Sequence, residues 1–153
     1  MLAKIDLQND ECLAGLPLQK EFETWVKASL RQNFDNLEQT IRLVGRAECS
    51  RLNLRYRAID APTNVLSFAA ENDYLDYECL GDLVICAPIV EQEAQQQGKL
   101  PEAHWAHMVV HGMLHLQGYD HQDTSEANEM EALETKILST LGYTNPYNVR
   151  YFD

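Results

Sequence analysis

The stretch from His111 to His121 constrains this chain more than any other. It holds three of the five histidines, His111, His115 and His121. If residues 111–117 are helical, the first two histidines lie one turn apart on the same face. Gly118 favours the left-handed conformation that ends a helix, so the chain can turn there and return with the third histidine. Three imidazoles around one ion at about 2.0–2.1 Å leave a position open, which is typical of a catalytic metal site.

The alternative is that these histidines are ordinary core or surface residues. The helix that begins at Pro101 is apolar nearly all round and is predicted to be the buried central helix. Buried imidazoles without partners are costly there, and a metal ion compensates that cost. His104 and His107 lie earlier on the same helix, and we expect them to be hydrogen-bonded residues because three ligands already suffice. Imidazole ligands and tetrahedral geometry favour one Zn²⁺ per chain, with nickel or another borderline ion left open.

Hydrophobic periodicity predicts an α/β (α+β) fold with four strands and five helices. The strands are expected at residues 3–8, 37–44, 65–68 and 82–86. The helices are expected at about 17–33, 46–57, 88–97 and 101–115, and from a capping box at Asp123 and Glu126 to Gly142. We therefore expect one domain over residues 1–153, in which about five helices pack on a small mixed sheet of about four strands. The metal site should lie at the buried central helix, and the strand order does not follow from the sequence.

Finer expectations concern single faces of these elements. The second strand has a polar outer face and is therefore placed near the edge of the sheet. The second helix is predicted to turn Cys49, Leu52 and Tyr56 inward. The acidic segment 71–78 is expected to be a loop or a hairpin arm. The four cysteines form no C-x-x-C pair, so buried reduced thiols are expected rather than disulfides or a thiolate zinc site.

The charge of the chain is unevenly distributed. A net charge of −12 argues at first sight against a polyanionic partner. Five arginines nevertheless lie between Arg42 and Arg57, with Glu48 as the single acid of that interval. Such a local basic surface can still bind nucleic acid. The chain has no run of eighteen apolar residues and begins without the apolar region of a signal peptide, so we expect a soluble, cytoplasmic protein with no membrane partner.

The histidine spacing resembles that of the metzincin metalloproteases, whose helix reads H-E-x-x-H-x-x-G-x-x-H. His111, His115, Gly118 and His121 match this pattern. Gly112 stands where those proteases have the glutamate that deprotonates the zinc-bound water. Proteolysis by that mechanism has therefore lost its base, and a zinc peptidase or amidase stays only as an alternative.

A second resemblance covers nearly half of the chain. Four blocks between residues 52 and 121 read L-N-x-x-Y-R-x-x-D-x-P-T-N-V-L-S-F, G-D-L-V-I-C, H-W-x-H and H-G-x-L-H-L-x-G-Y-D-H. They are similar to blocks of the YbeY-type endoribonucleases, the bacterial rRNA maturation factors. The resemblance implies a single-domain hydrolase that cuts single-stranded RNA with a metal ion held by three histidines. It also implies action in small-subunit rRNA maturation, particularly at the 3′ end, and in ribosome quality control, with rRNA, the small ribosomal subunit and its proteins as partners.

The same resemblance assigns roles by position. It makes His111, His115 and His121 the metal ligands, and its important arginine falls on Arg57. The chemistry agrees, because a planar guanidinium can bind the scissile phosphate and stabilise charge in the transition state.

Three further residues are candidates for the site. Asp120 is either a hydrogen-bond partner of a ligand imidazole or a proton acceptor. Asn64 and Ser67 either line the substrate groove or cap turns. A third interpretation is a non-catalytic ribosome-assembly factor with a structural metal, which the open coordination position disfavours.

Overall fold

The computed structural model describes residues 2–70 and 79–148. Its elements are, in chain order, β1 (Leu2–Gln8), α1 (Gln19–Ser29), β2 (Asn36–Val44), α2 (Arg46–Arg57), β3 (Val65–Ala69), β4 (Gly81–Cys86), α3 (Ala87–Gln96), α4 (Pro101–Leu116) and α5 (Thr124–Thr140). All four predicted strands and all five predicted helices are present. The predicted α/β fold, with five helices and a mixed four-stranded sheet, is therefore confirmed.

The strands of the sheet follow the order β1-β2-β4-β3. The β1–β2 and β2–β4 pairs are parallel, whereas β3 and β4 are antiparallel. Strand β2 is therefore interior, and the prediction that it lies near an edge was wrong. Its alternation arises because one face packs on the main core while the other, with Thr40 and Arg42 half-buried, is only partly covered. Alternation thus reports how the two faces are covered and not where a strand lies in the sheet.

Helix α4 is the buried central helix that the sequence predicted. Eleven of its sixteen residues are buried, and it contacts α1, α3, α5, β3 and β4. Trp105, Met113 and Leu114 are among its side chains in the main hydrophobic core. Pro101 opens the helix at a position where no backbone donor is needed. Because α4 is enclosed in this way, the core holds its histidines in place.

Helix α1 is shorter at both ends than the periodicity predicted, and Pro17 lies before it rather than in its first turn. Its end is set by a contact with Gln117. The side chain of Gln117 donates to the carbonyl of Ser29 at 2.9 Å and accepts from the backbone N–H of Arg31 at 2.8 Å. These backbone groups are thus satisfied outside the helix, by a residue that lies 88 positions after Ser29.

The face that α2 turns inward is narrower than predicted. Cys49 is buried and Leu52 is partly buried, but Tyr56 is 56% exposed, so the inward prediction was wrong for Tyr56. Tyr56 contacts Phe68 of β3, with 5.1 Å between the ring centroids. Strand β3 is the last of the sheet, so among the described residues no further strand lies beyond it to cover the rest of the tyrosine ring.

All four cysteines are free. Cys49 and Cys86 are buried in a second, smaller cluster that also contains Val44, Leu66 and Val84. Cys12 is exposed and Cys79 is half-buried, so the prediction of buried thiols was wrong for these two. Cys12 lies in the loop between β1 and α1, and such loops generally run over the surface.

The predicted loop or hairpin arm at 71–78 lies outside the described residues. Within the described ranges, none of the helices combines the length and the apolarity that a membrane-spanning helix requires.

Candidate metal and nucleic-acid site

A cleft of about 740 Å³ brings the predicted site residues together. One part of its lining, which we call the histidine wall, consists of His111, His115 and His121. Another part, which we call the arginine wall, comes from the end of α2 and from the turn and strand that follow, and consists of Tyr56, Arg57, Asn64 and Ser67. Asp120 also lines the cleft. The sequence had singled out every one of these residues except Tyr56.

The histidine wall forms where α4 ends. Gly118 has a φ of 97°, the left-handed conformation that the sequence predicted, and the chain turns there toward His121. The ring centroids of His111 and His115 are 4.6 Å apart, and His121 lies 4.9 Å from His115 and 5.7 Å from His111. One nitrogen of each imidazole lies within 4.8 Å of the other two. The three imidazoles are therefore close enough to share one ion.

The two ring nitrogens of His111 face different partners. Nε2 lies 3.1 Å from Nε2 of His115, and Nδ1 lies 2.5 Å from Oε1 of Glu134. An ionised carboxylate can only accept a hydrogen bond, so Nδ1 carries the hydrogen and the Nε2 lone pair is directed toward His115. Two nitrogens bound to one tetrahedral zinc ion are about 3.3 Å apart. The spacing of His111 and His115 therefore fits a shared divalent ion.

Burial and charge keep His115 in the form that binds metals. Desolvation, followed by the neighbouring charges of His111 and His121, lowers the pKa of His115. A neutral imidazole is favoured as a result, and metal ions bind the neutral form.

Glu134 on α5 is the site residue that the sequence did not reveal. It is 0% exposed, and its carboxylate accepts hydrogen bonds from His111 and from the hydroxyl of Tyr147. His107 Nε2 lies 3.5 Å from the same carboxylate. Burial by itself raises the pKa of Glu134, but the hydrogen bonds from His107 and His111 outweigh it and lower the pKa to about 2. The carboxylate is therefore ionised at neutral pH and fixes the orientation of His111.

A signal for Glu134 was present in the sequence. The residue lies four positions after Met130 and three before Ile137, on the apolar face of α5. An acid in a buried position needs a partner, so its place in the pattern marks it as unusual. Its partner could not be identified in the same way, because His111 lies 23 residues earlier, on another helix.

His107, His111 and Glu134 form a second group of possible ligands within 4.8 Å. Hydrogen bonding accounts for this group, since Nε2 of His107 lies 3.4 Å from the hydroxyl of Tyr147 and near Glu134. His104, one turn earlier, bonds Glu93 at 2.9 Å. The prediction that His104 and His107 are hydrogen-bonded helix residues is confirmed.

Arg57 is exposed in the last turn of α2. The chain leaves the helix through Ala58, whose φ is 58°, and the backbone N–H groups of Ala58 and Ile59 bond the last turn. The buried side chain of Asn53 donates to the carbonyl of Ala61 at 2.8 Å and holds the following loop. A left-handed alanine is strained, and such strain is often found near functional sites. Because the residue at this turn is an alanine and not a glycine, the sequence does not predict the left-handed conformation.

Asn64 and Ser67 line the cleft, but their polar atoms are already bonded. Asn64 accepts from the following backbone N–H at 2.7 Å and donates to Glu93 at 3.2 Å. Ser67 donates to the carbonyl of Gly112 at 3.3 Å. Because Glu93 also bonds His104, Asn64 and Ser67 connect the arginine wall to α3 and α4. These contacts favour a positioning role over direct substrate binding.

Asp120 precedes His121 and faces the same cleft. Its Oδ1 accepts from the backbone N–H of His121 at 2.7 Å and lies 3.6 Å from Nδ1 of the imidazole. The longer distance exceeds that of a hydrogen bond. Asp120 therefore caps the turn that carries His121, and its roles as imidazole partner or proton acceptor stay predictions.

Gly112 packs against the sheet. A Cβ atom at this position would lie 2.7 Å from Cδ2 of Leu83 and 3.2 Å from Cγ2 of Val65. Even a Cβ atom would therefore require the buried side chain of Leu83 to move. The glutamate that the metzincin pattern requires would have to displace these sheet side chains, which counts against the peptidase alternative.

Known proteins resemble this chain in sequence and in fold. The family model described as Endoribonuclease YbeY matches residues 5–142. Among solved structures, the solution structure of TM1509 from Thermotoga maritima is similar, with a TM-score of 0.52 and 23% sequence identity. The match covers 95% of this chain and 98% of that one. At this identity the structural likeness supports the fold alone, whereas the family match spans both walls of the cleft.

Proposed function

Because this chain belongs to the YbeY endoribonuclease family, we propose that it is a metal-dependent endoribonuclease that cuts single-stranded rRNA precursors. The observation that carries the proposal is the meeting of three imidazoles and an exposed arginine in one cleft. Metal ligands alone would suit many hydrolases, and an arginine alone is common on a surface. Together they provide for a hydrolytic reaction at a phosphate.

In this proposal His111, His115 and His121 hold one divalent ion, and their imidazole ligands favour Zn²⁺. When bound, such an ion lowers the pKa of water toward about 7 and polarises a phosphoryl oxygen. Glu134 keeps the Nδ1 proton on His111 and so leaves its Nε2 free for the metal. Asp120, beside His121 at the cleft, is the candidate to accept the proton of the nucleophile.

Arg57 is the proposed phosphate ligand. Its planar guanidinium can make two parallel hydrogen bonds to phosphate oxygens, and its charge can stabilise the developing negative charge. The bond from Asn53 and the left-handed Ala58 hold the chain that follows it. We assign it to catalysis because it shares the cleft with the histidine wall.

The arginines of α2 address the difficulty of the acidic net charge. This helix contains Arg46, Arg51, Arg55 and Arg57 against a single acid, Glu48. Glu48 is itself paired with Arg51 at 2.6 Å and with Arg42 at 3.2 Å. Helix α2 therefore carries a net positive charge and its Arg57 end lines the cleft, although the chain carries a net charge of −12. Binding of RNA should weaken steeply as salt rises if several phosphates contact this surface.

We further propose the 3′ region of the small-subunit rRNA precursor as the substrate. The small ribosomal subunit and its proteins are the proposed partners, ribosome quality control is a second proposed role, and the cytoplasm is the proposed location. Exposed acids on α5, among them Glu126, Glu129 and Glu131, are available for basic ribosomal proteins. The peptidase or amidase alternative is disfavoured at Gly112, and an assembly factor with a purely structural metal does not account for an exposed arginine beside the histidines.

The decisive experiment compares the full chain with His115→Ala. We expect the purified protein to contain about one divalent ion per chain and to cleave a small-subunit rRNA precursor, and we expect His115→Ala to lose both properties together. His104→Gln serves as the control, because His104 lies on the same helix but bonds Glu93 outside the cleft. Full nuclease activity in rigorously metal-free protein would contradict the mechanism. Metal-dependent cleavage of a peptide library without cleavage of RNA would support the peptidase instead.

A further inference from the structure

Tyr56 occupies an unusual position for a large aromatic residue. It lies in the last turn of α2, next to Arg57, and its side chain is 56% exposed. Its ring packs edge-to-face on Phe68, with 5.1 Å between centroids and 65° between the ring planes. Burial in the core therefore does not explain why an aromatic residue occupies this position.

The two aromatic rings separate two depressions of the surface. One is the cleft that contains the histidine and arginine walls. The other is a neighbouring groove of about 480 Å³ over the outer face of the sheet, lined by Arg42, Leu52, Asp82 and others. Tyr56 and Phe68 are the residues that line both. An RNA strand that runs from the cleft into the groove would therefore pass over these two rings.

The charges around the rings suit a nucleic-acid strand. The guanidinium carbon of Arg55 lies 5.3 Å from the centre of the Tyr56 ring, and Arg57 follows in the chain. An exposed aromatic ring can stack a base while neighbouring guanidinium groups bind the phosphates of the same strand. The ring and Arg57 also line the cleft that holds the three histidines, so a strand bound there for cleavage lies within reach of Tyr56.

We propose that Tyr56, supported by Phe68, is a stacking platform for an unpaired nucleobase next to the scissile phosphate. This inference rests on the proposed ribonuclease function and deepens it. A base in a duplex already stacks on its neighbours on both faces, whereas an unpaired base can place one face on a protein ring. The platform thus supplies a physical reason for cutting single strands, and it tolerates any base because every base has an aromatic face.

The test uses variants of the full, metal-loaded chain. Tyr56→Leu keeps an apolar side chain against Phe68 but removes the aromatic face, and Tyr56→Phe keeps that face. Leu54→Ala is the matched control, since Leu54 is 50% exposed on the same helix and lines neither depression. Thermal unfolding of each variant checks that α2 remains folded.

The probe is a single-stranded RNA that contains 2-aminopurine, whose fluorescence falls when the base stacks. A second series of RNAs has the same sequence, and each member has one abasic site at a different position around the cleavage site. We expect Tyr56→Leu to lower kcat/KM by roughly 5- to 100-fold and to abolish the quenching, as stacking energies per base predict. Leu54→Ala should stay within about twofold of the wild type, and Tyr56→Phe should retain the quenching because it keeps the aromatic face.

The abasic set distinguishes stacking from a merely structural role. At one position the abasic RNA should be cut as slowly by the wild type as by Tyr56→Leu, because the two changes remove the same contact. The platform would be overturned if Tyr56→Leu lowered kcat/KM equally on every abasic substrate. It would also be overturned if Tyr56→Leu did not lower kcat/KM at all. In either case the wild type still cuts RNA and the proposed function stands. If the wild type cuts no RNA, the proposed function itself has failed.

Discussion

The two walls of the cleft differ in how firmly the protein holds them. His111 of the histidine wall lies on a helix buried in the core and bonds a carboxylate that is 0% exposed. In the arginine wall, Tyr56 and Arg57 are exposed at the end of α2, where Asn53 holds the loop that follows and Phe68 supports the Tyr56 ring. The difference matches the two proposed tasks, which are metal binding by the histidine wall and RNA binding by the arginine wall. A metal ion demands imidazoles oriented in advance, because its bonds are short and directional. A phosphate or a base is bound at a surface that must stay open to a long strand.

The histidine wall is also the more closely connected of the two. Glu134 joins His111, His107 and Tyr147, which lie on α4 and in the segment after α5. Removal of one member should therefore lower the affinity of the proposed site for its metal ion, even when that member is not a ligand. In the arginine wall, by contrast, a substitution at an exposed side chain should change RNA cleavage and leave metal content unaltered. Substitutions in each wall can test whether metal binding and RNA cleavage are separable in this way.

The largest effect is expected for Arg57→Glu. Loss of one group that stabilises transition-state charge typically costs about 100- to 1,000-fold in kcat, and the reversed charge also repels phosphate. Metal content, measured on the same sample, should equal that of the wild type. Arg31→Glu makes the same change of charge at an exposed residue outside the cleft and should retain most of the activity. A variant Arg57→Glu that loses its metal would show that the two walls are not separate.

An intermediate effect is expected for Glu134→Gln. The amide keeps the volume of the buried side chain but no longer supplies the negative charge that holds the Nδ1 proton of His111. Changes of such ligand-orienting partners typically cost about 10- to 100-fold in metal affinity, which competition with a fluorescent chelator measures.

Glu93→Gln is the matched control for Glu134→Gln. It disturbs another carboxylate–imidazole pair, between Glu93 of α3 and His104 of α4, but His104 is not a predicted ligand. Its metal affinity should equal that of the wild type. If both variants lowered the affinity equally, the effect would come from general loosening of α4 and not from the orientation of His111.

The smallest effect is expected for Tyr147→Phe. The variant loses the hydroxyl that donates to Glu134 but leaves the bond between Glu134 and His111 intact. We expect a loss of about 1.5–3 kcal/mol in the free energy of unfolding, because the lost bond is made to a charged group, and a decrease in metal affinity smaller than that of Glu134→Gln. Tyr143→Phe, which removes the bond of an exposed hydroxyl to Glu102, should leave metal affinity unchanged. A larger loss for Tyr147→Phe than for Glu134→Gln would contradict the proposed chain of contacts.

Much of the site could be predicted because its spacing is local. His111 and His115 are four residues apart on a helix, and Gly118 turns the chain back toward His121, so the periodicity of a helix and the freedom of one glycine suffice to bring the three together. The fold class followed from periodicity in the same way. The role of Arg57 came from a resemblance to a family, since nothing in its local pattern distinguishes it from the other arginines of α2.

What the sequence alone determined is therefore the set of elements and the histidines that can meet within one helix and its turn. Tertiary structure decided that β2 is interior, that Tyr56 is exposed at the edge of the sheet, and that Glu134 orients His111. Each of these depends on the packing of elements that lie far apart in the chain. Local periodicity shows which face of an element is apolar, but only packing determines which neighbour covers that face and which polar groups meet there.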